Sequence, residues 1–271
     1  MSNVEIREMS KADEYFVSTC THVNESREAD ECGKKRLAWF KKMRKKGFRA
    51  FAALLDGKPA GFIYLMPIEV CPWGPLGTGL ISVPCLYVLK KAQGNSIGRA
   101  LFNAAENEAR RQGKRGLVTV AYHHDFWFMP ASFFEKMGFK KVDSRDARLL
   151  DENHFPTKVA LMWKTFSKCE KPRFAERKYR FKPVKGKVVI DLFSNAFCST
   201  STIEAQRVRD VAGEFEGRVV LNEHWGEDRS VLESFGLARG IFINGKEAGW
   251  GYEAPKSGLR KAIKNALNGR A

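Results

Sequence analysis

Apolar and polar positions along the chain follow two periods, and the change from one to the other marks the elements. Val4–Arg7 alternates as a short strand. Ser10–Thr21 then reads as a helix with Ser10 at its N-cap, and Lys34–Lys46 as a second helix with Leu37, Phe40 and Met43 on one face. Phe48–Leu55 and Ala60–Glu69 are strand-like runs joined at Asp56-Gly57, a strong hairpin signal. Leu80–Leu89 is an apolar strand. A helical pattern over Ile97–Gln112 stops at Gly113, with Arg110 and Arg111 in its last turn. Gly116–Tyr122 reads as a buried strand, Ala131–Met137 as a short helix, and Phe139–Val142 and Val159–Phe166 as closing strands. Strands and helices interleaved in this way predict an α/β sandwich on a mixed sheet.

A second, cleaner alternation follows. Val188–Phe193 is a strand, Thr200–Glu214 a helix, Val219–Asn222 a strand and Arg229–Phe235 a helix. Ile241–Asn244 and Glu247–Gly251 form a hairpin on Asn244-Gly245, and Pro255–Leu267 closes as a helix. The order is β-α-β-α-β-β-α. Between the two alternations lies "SKCEKPRFAERKYRFKPVKGK", basic, with prolines and no period. The expected organisation is a first domain over 1–167, a linker over 168–187 and a second domain over 188–271. Phe174, Tyr179 and Phe181 in the linker suggest that it packs against a domain.

Composition narrows the function. The chain has 271 residues, 44% of them apolar, enough for one large core or two ordinary ones. No apolar run reaches a membrane-spanning length, and the first residues lack the apolar core of a signal peptide, so a cytoplasmic protein is expected. The net charge of +16 invites a nucleic-acid reading. Its distribution weakens that reading: 27 basic residues stand against 18 acidic in 1–167, 9 against 2 in 168–187, and 11 against 11 thereafter. A basic surface equally suits an anionic small ligand. The helix "KKRLAWFKKMRKKG" has the charge of a membrane or nucleic-acid element, but a solvated face over an apolar stripe accounts for it. The 6 cysteines are scattered without a CxxC pair, against both a disulfide framework and a zinc ribbon.

The stretch with chemistry in it is "LYVLKKAQGNSIGRALF", where a strand turns into a helix. A helix N-terminus exposes unpaired amides and a partial positive charge, and so suits a phosphate. Gly94, Ser96, Gly98 and Ala100 keep side-chain bulk low there, and Arg99 adds charge. Glycines at such turns are also common for backbone reasons alone, so the loop by itself admits both readings. Further on, "AYHHDFW" clusters Tyr122, His123, His124 and Asp125 at a strand end. Histidine titrates near neutrality, which suits proton transfer; a structural hydrogen-bonding role is the alternative. No metal site is expected, since adjacent histidines on a strand point apart. Phe126, Trp127, Phe128, Phe133 and Phe134 line a pocket or form core. Cys85, beside Pro84, reads as a buried cysteine, with a thiol near the reacting group as the alternative.

The loop Gln93-x-x-Ser96-x-Gly98 resembles motif A of the Gcn5-related N-acetyltransferases (GNAT), and "ASFFEKMGF" resembles that family's "FYEKLGF" element, in the same order. The resemblance covers about residues 3–166. It implies acetyl-CoA as co-substrate, with the pantetheine arm along Leu86, Tyr87 and Val88. The pyrophosphate would lie on Gln93, Gly94, Asn95, Ser96, Ile97, Gly98 and Arg99. It also implies transfer to a primary amine of a small-molecule or peptide acceptor. Relatives often use the tyrosine of "FYEK" as the acid. Phe134 stands there and cannot donate, which leaves Tyr122 and His123 as the catalytic candidates.

The second alternation has the element order of the thioredoxin fold, and Cys198-Ser199-Thr200-Ser201 resembles the CxxS of monothiol glutaredoxins. Cys198 is the redox candidate, since a cysteine opening a helix has its thiolate favoured by the dipole. Ala238, Arg239 and Gly240 stand where that fold places a cis-proline, so its usual substrate loop is altered. The two parts together resemble the YoaP-type proteins. A thiol-binding or thiol–disulfide protein with a non-catalytic first domain is the alternative to an acetyltransferase.

Overall fold

The computed structural model describes residues 3–123, 128–147, 157–249 and 253–269, with strands β1–β11 and helices α1–α7 numbered along the chain. β1 (Val4–Glu8) leads through α1 (Glu14–Thr19) and α2 (Arg27–Arg44) to β2 (Arg49–Leu55) and β3 (Lys58–Pro67). Asp56 and Gly57 take φ of 49° and 76°, the mirror-image turn whose twist suits a two-residue hairpin. β4 (Ile81–Val88), α3 (Ile97–Arg111), β5 (Gly116–Tyr122), α4 (Ala131–Lys136), β6 (Lys140–Ala147) and β7 (Thr157–Thr165) follow. Among the described residues these strands form one 7-stranded sheet, ordered β1-β2-β3-β4-β5-β7-β6. Only β4 and β5 of its neighbours run parallel, so the sheet is mixed, as expected.

The two faces of this sheet bury different layers. α3 and α4 cover one with Ile97, Leu101, Phe102 and Phe134 on Ile63, Leu65, Val83 and Ala121. α1 and α2 cover the other with Phe16, Trp39, Phe40 and Met43 on Phe62, Tyr64, Met66 and Cys85. Each such side chain removed from water contributes about 1.5–3 kcal/mol.

β8 (Val188–Asn195), α5 (Ser199–Gly213), β9 (Val219–Gly226), α6 (Ser230–Phe235), β10 (Gly240–Ile243), β11 (Lys246–Ala248) and α7 (Lys256–Leu267) build a 4-stranded sheet ordered β11-β10-β8-β9. β8 and β9 are parallel across α5, whereas β10 is antiparallel to β8. α5 and α7 cover one face with Val208, Val211, Leu259 and Ile263. The other face, with Phe193 and Phe242, is covered by Tyr179 and Phe181 of the basic segment. Tyr179 donates from its hydroxyl to Asp191 Oδ2 at 2.8 Å, and Leu76 and Arg173 exchange two backbone hydrogen bonds. The basic segment is therefore docked on both sheets.

The two sheets meet through α2. Trp39 Nε1 donates to Glu227 O at 2.8 Å, and Arg229 donates to Ile68 O and Gly77 O at 3.0 and 3.2 Å. Arg207 of α5 bridges Glu28 of α2 at 2.7 Å and Glu253 at 3.0 Å. Buried His22 lies 2.7 Å from Glu25 and 3.4 Å from Glu253 in the same clasp. Ala196 and Phe197, after β8, enter the apolar layer of the first sheet directly.

Two expectations change. Ser10 donates to the Asp13 carboxylate from its backbone amide and hydroxyl, and a single 3₁₀ turn precedes α1. α2 begins earlier than its apolar periodicity suggests, because the Ser26 hydroxyl accepts from Ala29 N–H at 3.1 Å and caps it. The longer helix buries Ala29, Cys32, Arg36, Phe40 and Met43, while Leu37 is only half-buried. An arginine thus sits in the stripe. His124, Asp125, Phe126, Trp127 and the end of the expected Glu247–Gly251 strand lie outside the described residues.

Gly236 caps α6 at φ 70°, and a Cβ there would lie 1.8 Å from Glu176 O of the docked segment. Gly217, at φ 76°, has nothing within 4 Å of its Cβ position. Gly217→Ala should lose about 1–2 kcal/mol from the left-handed backbone alone. Gly236→Ala should lose at least about 2 kcal/mol more, since backbone must shift too. Urea denaturation of both variants measures the difference; equal losses would mean that the segment is not docked there.

Candidate functional site: a splayed strand pair, a glycine loop and a cavity at the seam

β4 and β5 stay in register only at Ile81↔Leu117 and Ser82↔Val118. Beyond that they separate, β4 remaining with β3 and β5 with β7. The Thr119 hydroxyl donates to Val83 O at 2.7 Å at the fork. Met129, at φ 51°, closes its far side: its sulfur accepts from Leu86 N–H at 3.2 Å and its carbonyl from Tyr122 N–H at 3.0 Å. Leu86, Tyr87 and Val88 thus form the open arm of the fork, with Cys85 at its base.

The arm leads to the loop. Asn95 Nδ2 donates to Ala92 O at 3.1 Å and folds the turn on itself. Gly94 takes φ 85° and Ser96 φ 58°, so Ser96 heads α3 without using its side chain as a cap. Ala100 is the first amide to bond back, to Ser96 O at 3.0 Å. The amides ahead of it have no partner in their own helix. A Cβ on Gly98 would lie 3.2 Å from the Phe133 ring, so the position has no room for bulk on that side. Gln93, Gly94, Ser96 and Arg99 are exposed. Low side-chain bulk and a helix N-terminus are features that suit phosphate oxygens.

The two catalytic candidates separate. Tyr122 is half-buried, with burial pushing its phenol up to about 12. It lines a cavity of about 600 Å³ between β5, β6, β7, the docked segment and the α6–β10 connection. Arg145, Arg177 and Arg239 also line it. His123, the next residue, is exposed and is not among the lining residues; its amide donates to Lys158 O at 3.0 Å. Adjacent strand residues point to opposite sides, so one position takes a cavity role and the other does not. Phe134 is fully buried and stacks edge-on with Phe133 and Phe139.

Cys198 is the N-cap of α5 and half-buried, and its amide donates to Asn195 Oδ1 at 3.0 Å. Asn195 Nδ2 donates to Ala238 O at 2.8 Å, and Arg239 pairs with Glu204 at 2.7 Å. One side chain therefore ties the cysteine loop to the connection that lines the cavity.

Periodicity and motif reading missed the group at the centre of the seam. Arg36 is 1% exposed. It donates to Phe197 O at 2.5 Å and to Ser18 O and Val17 O at 2.9 and 3.3 Å, and lies over the Phe40 and Tyr64 rings. The signal that could have found it is its spacing from Cys32, Phe40 and Met43, visible once α2 is started at Ser26. Cys20, which faces it, has no sequence signal.

Residues 27–141 match the family model described as "Acetyltransferase (GNAT) domain", a span from the start of α2 into β6 that contains the fork and the loop. The chain therefore carries a GNAT acetyltransferase domain. It is similar to ribosomal-protein-alanine N-acetyltransferase from Brucella melitensis, at 19% identity over 60% of this chain and 99% of that one, with a TM-score of 0.47. It is similar to yncA from Salmonella typhimurium, solved with its cofactor acetyl-CoA, at 20% over 62% and 97%, TM-score 0.46. PaiA N-acetyltransferase from Thermoplasma acidophilum, in complex with coenzyme A, is similar at 20% over 60% and 99%, TM-score 0.42. No curated protein matches the chain.

Phe134 acts in the core as packing. Phe134→Ala should destabilise the protein by about 3–5 kcal/mol through the cavity it leaves, read from a urea or thermal unfolding curve. A variant as stable as the parent would mean that Phe134 is not a core residue.

Proposed function

We propose that this chain transfers acetyl from acetyl-CoA to a primary amine of a small-molecule or peptide acceptor. The observation that carries the reading is the β4–β5 fork running into the glycine loop at the head of α3. β4 from Leu86 to Val88, parted from β5, can pair with an extended amide-bearing arm, as an added strand would, the arm replacing the Met129 sulfur at the Leu86 N–H. The amides from Gln93 to Arg99 then receive the pyrophosphate. Transfer needs a neutral amine, a donor to the developing oxyanion and a proton for the leaving thiolate. Tyr122 suits the delivery of that proton. With its phenol pushed up to about 12 it stays protonated at neutral pH and can donate, but cannot act as a base. His123, exposed beside it, is the second candidate for moving the amine proton.

The second sheet, with β-α-β-α-β-β-α order and a cysteine at its first helix, supports a thioredoxin-like accessory domain of YoaP type, with 188–271 as its extent and 168–187 as the docked connection. Residues 1–167 form the transferase domain. A cytoplasmic setting fits a chain with six free cysteines, and no helix among the described residues is long and apolar enough to cross a membrane. The reading as a thiol protein keeps one specific support, the packing of Cys198 against the layer that holds Cys20 and Cys85.

Gly98→Glu should abolish acetyl-CoA binding in titration calorimetry, because it places bulk and negative charge among the phosphate-binding amides. Unchanged affinity in a folded variant would remove the site assignment. With an accepted amine in hand, Tyr122→Phe should lower kcat by about 10²–10⁴-fold while acetyl-CoA affinity holds, the range for a lost acid. Full turnover would assign the proton to another group, and His123→Ala is the comparison that tests it.

A further inference from the structure

The two faces of the sheet meet at the fork. Along β5, Leu117 and Ala121 go under α3 and α4. Val120 and Tyr122, offset by one position, turn to the other face and line the cavity of about 600 Å³ at the seam. α3 and the cavity are thus on opposite sides of the sheet. Leu86 and Tyr122 stand across the fork from each other, and the amides of both donate to Met129, one to its sulfur and one to its carbonyl. Tyr122 therefore belongs both to the fork and to the cavity wall.

Tyr122 pairs with Val159 of β7, and Val159 pairs with Arg145 of β6. Residues directly opposite in adjacent strands point to the same face, so the three form one row along the cavity, its ends two strand spacings, about 10 Å, apart. Arg145 is exposed. Its partners are Ala175 O, at 3.4 Å, and the Phe174 ring, 4.3 Å away, and among the described residues it makes no ion pair, not even with Asp143 two residues back on the same face. The other two arginines of the wall are occupied: Arg177 holds Glu247 at 3.2 Å and Arg239 holds Glu204 at 2.7 Å. Asp146, the other acid of the lining, stands across from Lys158. Trp73, Leu232 and Leu237 add apolar wall.

We propose, resting on the transferase reading, that the acceptor is a small amine that also carries a carboxylate, bound with the carboxylate on Arg145 and the amine toward Tyr122, in a cavity that the α6–β10 connection of the second sheet completes. A guanidinium offers a carboxylate two parallel donors, and one long bond to a carbonyl leaves most of its N–H groups for that purpose. A hollow of this volume takes a small molecule, and a row with a phenol at one end and a cation at the other suits a molecule of amino-acid size. In the transfer the amine nitrogen bonds to the acetyl carbonyl carbon as the C–S bond of acetyl-CoA breaks; the amine gives up a proton and the departing thiolate takes one. The carboxylate takes no part in these steps, so Arg145 selects the acceptor and does not move protons.

The test uses the full chain. Acetyl-CoA affinity is read first by titration calorimetry. The common L-amino acids are then compared with the amines that each gives on decarboxylation, and with an acidic peptide, by chromatography of the acetylated products. The expected result is at least one amino acid turned over with a kcat/KM about tenfold or more above that of its decarboxylated counterpart. Arg145→Ala should lower the amino acid's kcat/KM by about 10–150-fold, mostly through KM, with a far smaller change for the counterpart, the range for a hydrogen bond lost to a charged group. Arg145→Lys should keep part of the preference. If Arg145 serves only to dock Phe174, the variant lowers both members of a pair alike, and the proposal falls. Equal or better turnover of the decarboxylated amines or of the peptide, or bound acetyl-CoA with no amino acid acetylated, overturns the carboxylate-bearing acceptor and leaves the acetyl-CoA site standing. A folded parent chain without affinity for acetyl-CoA overturns the transferase reading, and this acceptor with it.

Discussion

The seam between the two sheets is built around one guanidinium. Arg36 reaches from α2 to the carbonyls of Val17 and Ser18 at the end of α1 and to Phe197 O after β8. Two segments far apart in sequence, the end of α1 and the residues after β8, are thereby fixed to one planar donor on α2. Val17 O keeps the Tyr64 hydroxyl as a second donor, while a buried carbonyl left with no partner would cost about 1–3 kcal/mol. Arginine does this better than lysine, because its fork of donors can face several acceptors at once while its flat face lies on Phe40 and Tyr64.

The fork has a comparable logic on the opposite side of Cys85. Parallel pairing of β4 and β5 ends after two residue pairs, so the edge of β4 from Leu86 onward is free of β5. A free edge in the middle of a sheet would normally be a liability. Here it leads to the head of α3, and the Met129 sulfur takes the Leu86 N–H at its start.

The second sheet bears on the first through its loops. Asn195 ties the Cys198 loop to Ala238, and the α6–β10 connection carries Ala238 and Arg239 into the wall of the cavity that Tyr122 lines. The basic segment, which in isolation has the composition of a flexible connection, is held by Tyr179 on Asp191 and by the Leu76–Arg173 bridge. Its charge and its apolar side chains act separately: the lysines and arginines keep to water, while the aromatics cover the exposed face of a sheet.

Much of this architecture was legible in the residues. Asp56-Gly57 and Asn244-Gly245 announced both hairpins, since few other pairs accept positive φ at adjacent positions. The change from alternating to helical period at Val88–Ile97, with its small residues, announced the loop, because local sequence controls whether helix amides stay uncovered. Local pattern could not place Arg36 in a core, nor bring Cys20 and Cys85 into one apolar layer. Those properties depend on desolvation and on groups brought together from α1, α2, β4 and the end of β8. Burial and charge at a seam are set by the whole packed structure, and only the tertiary arrangement decided them.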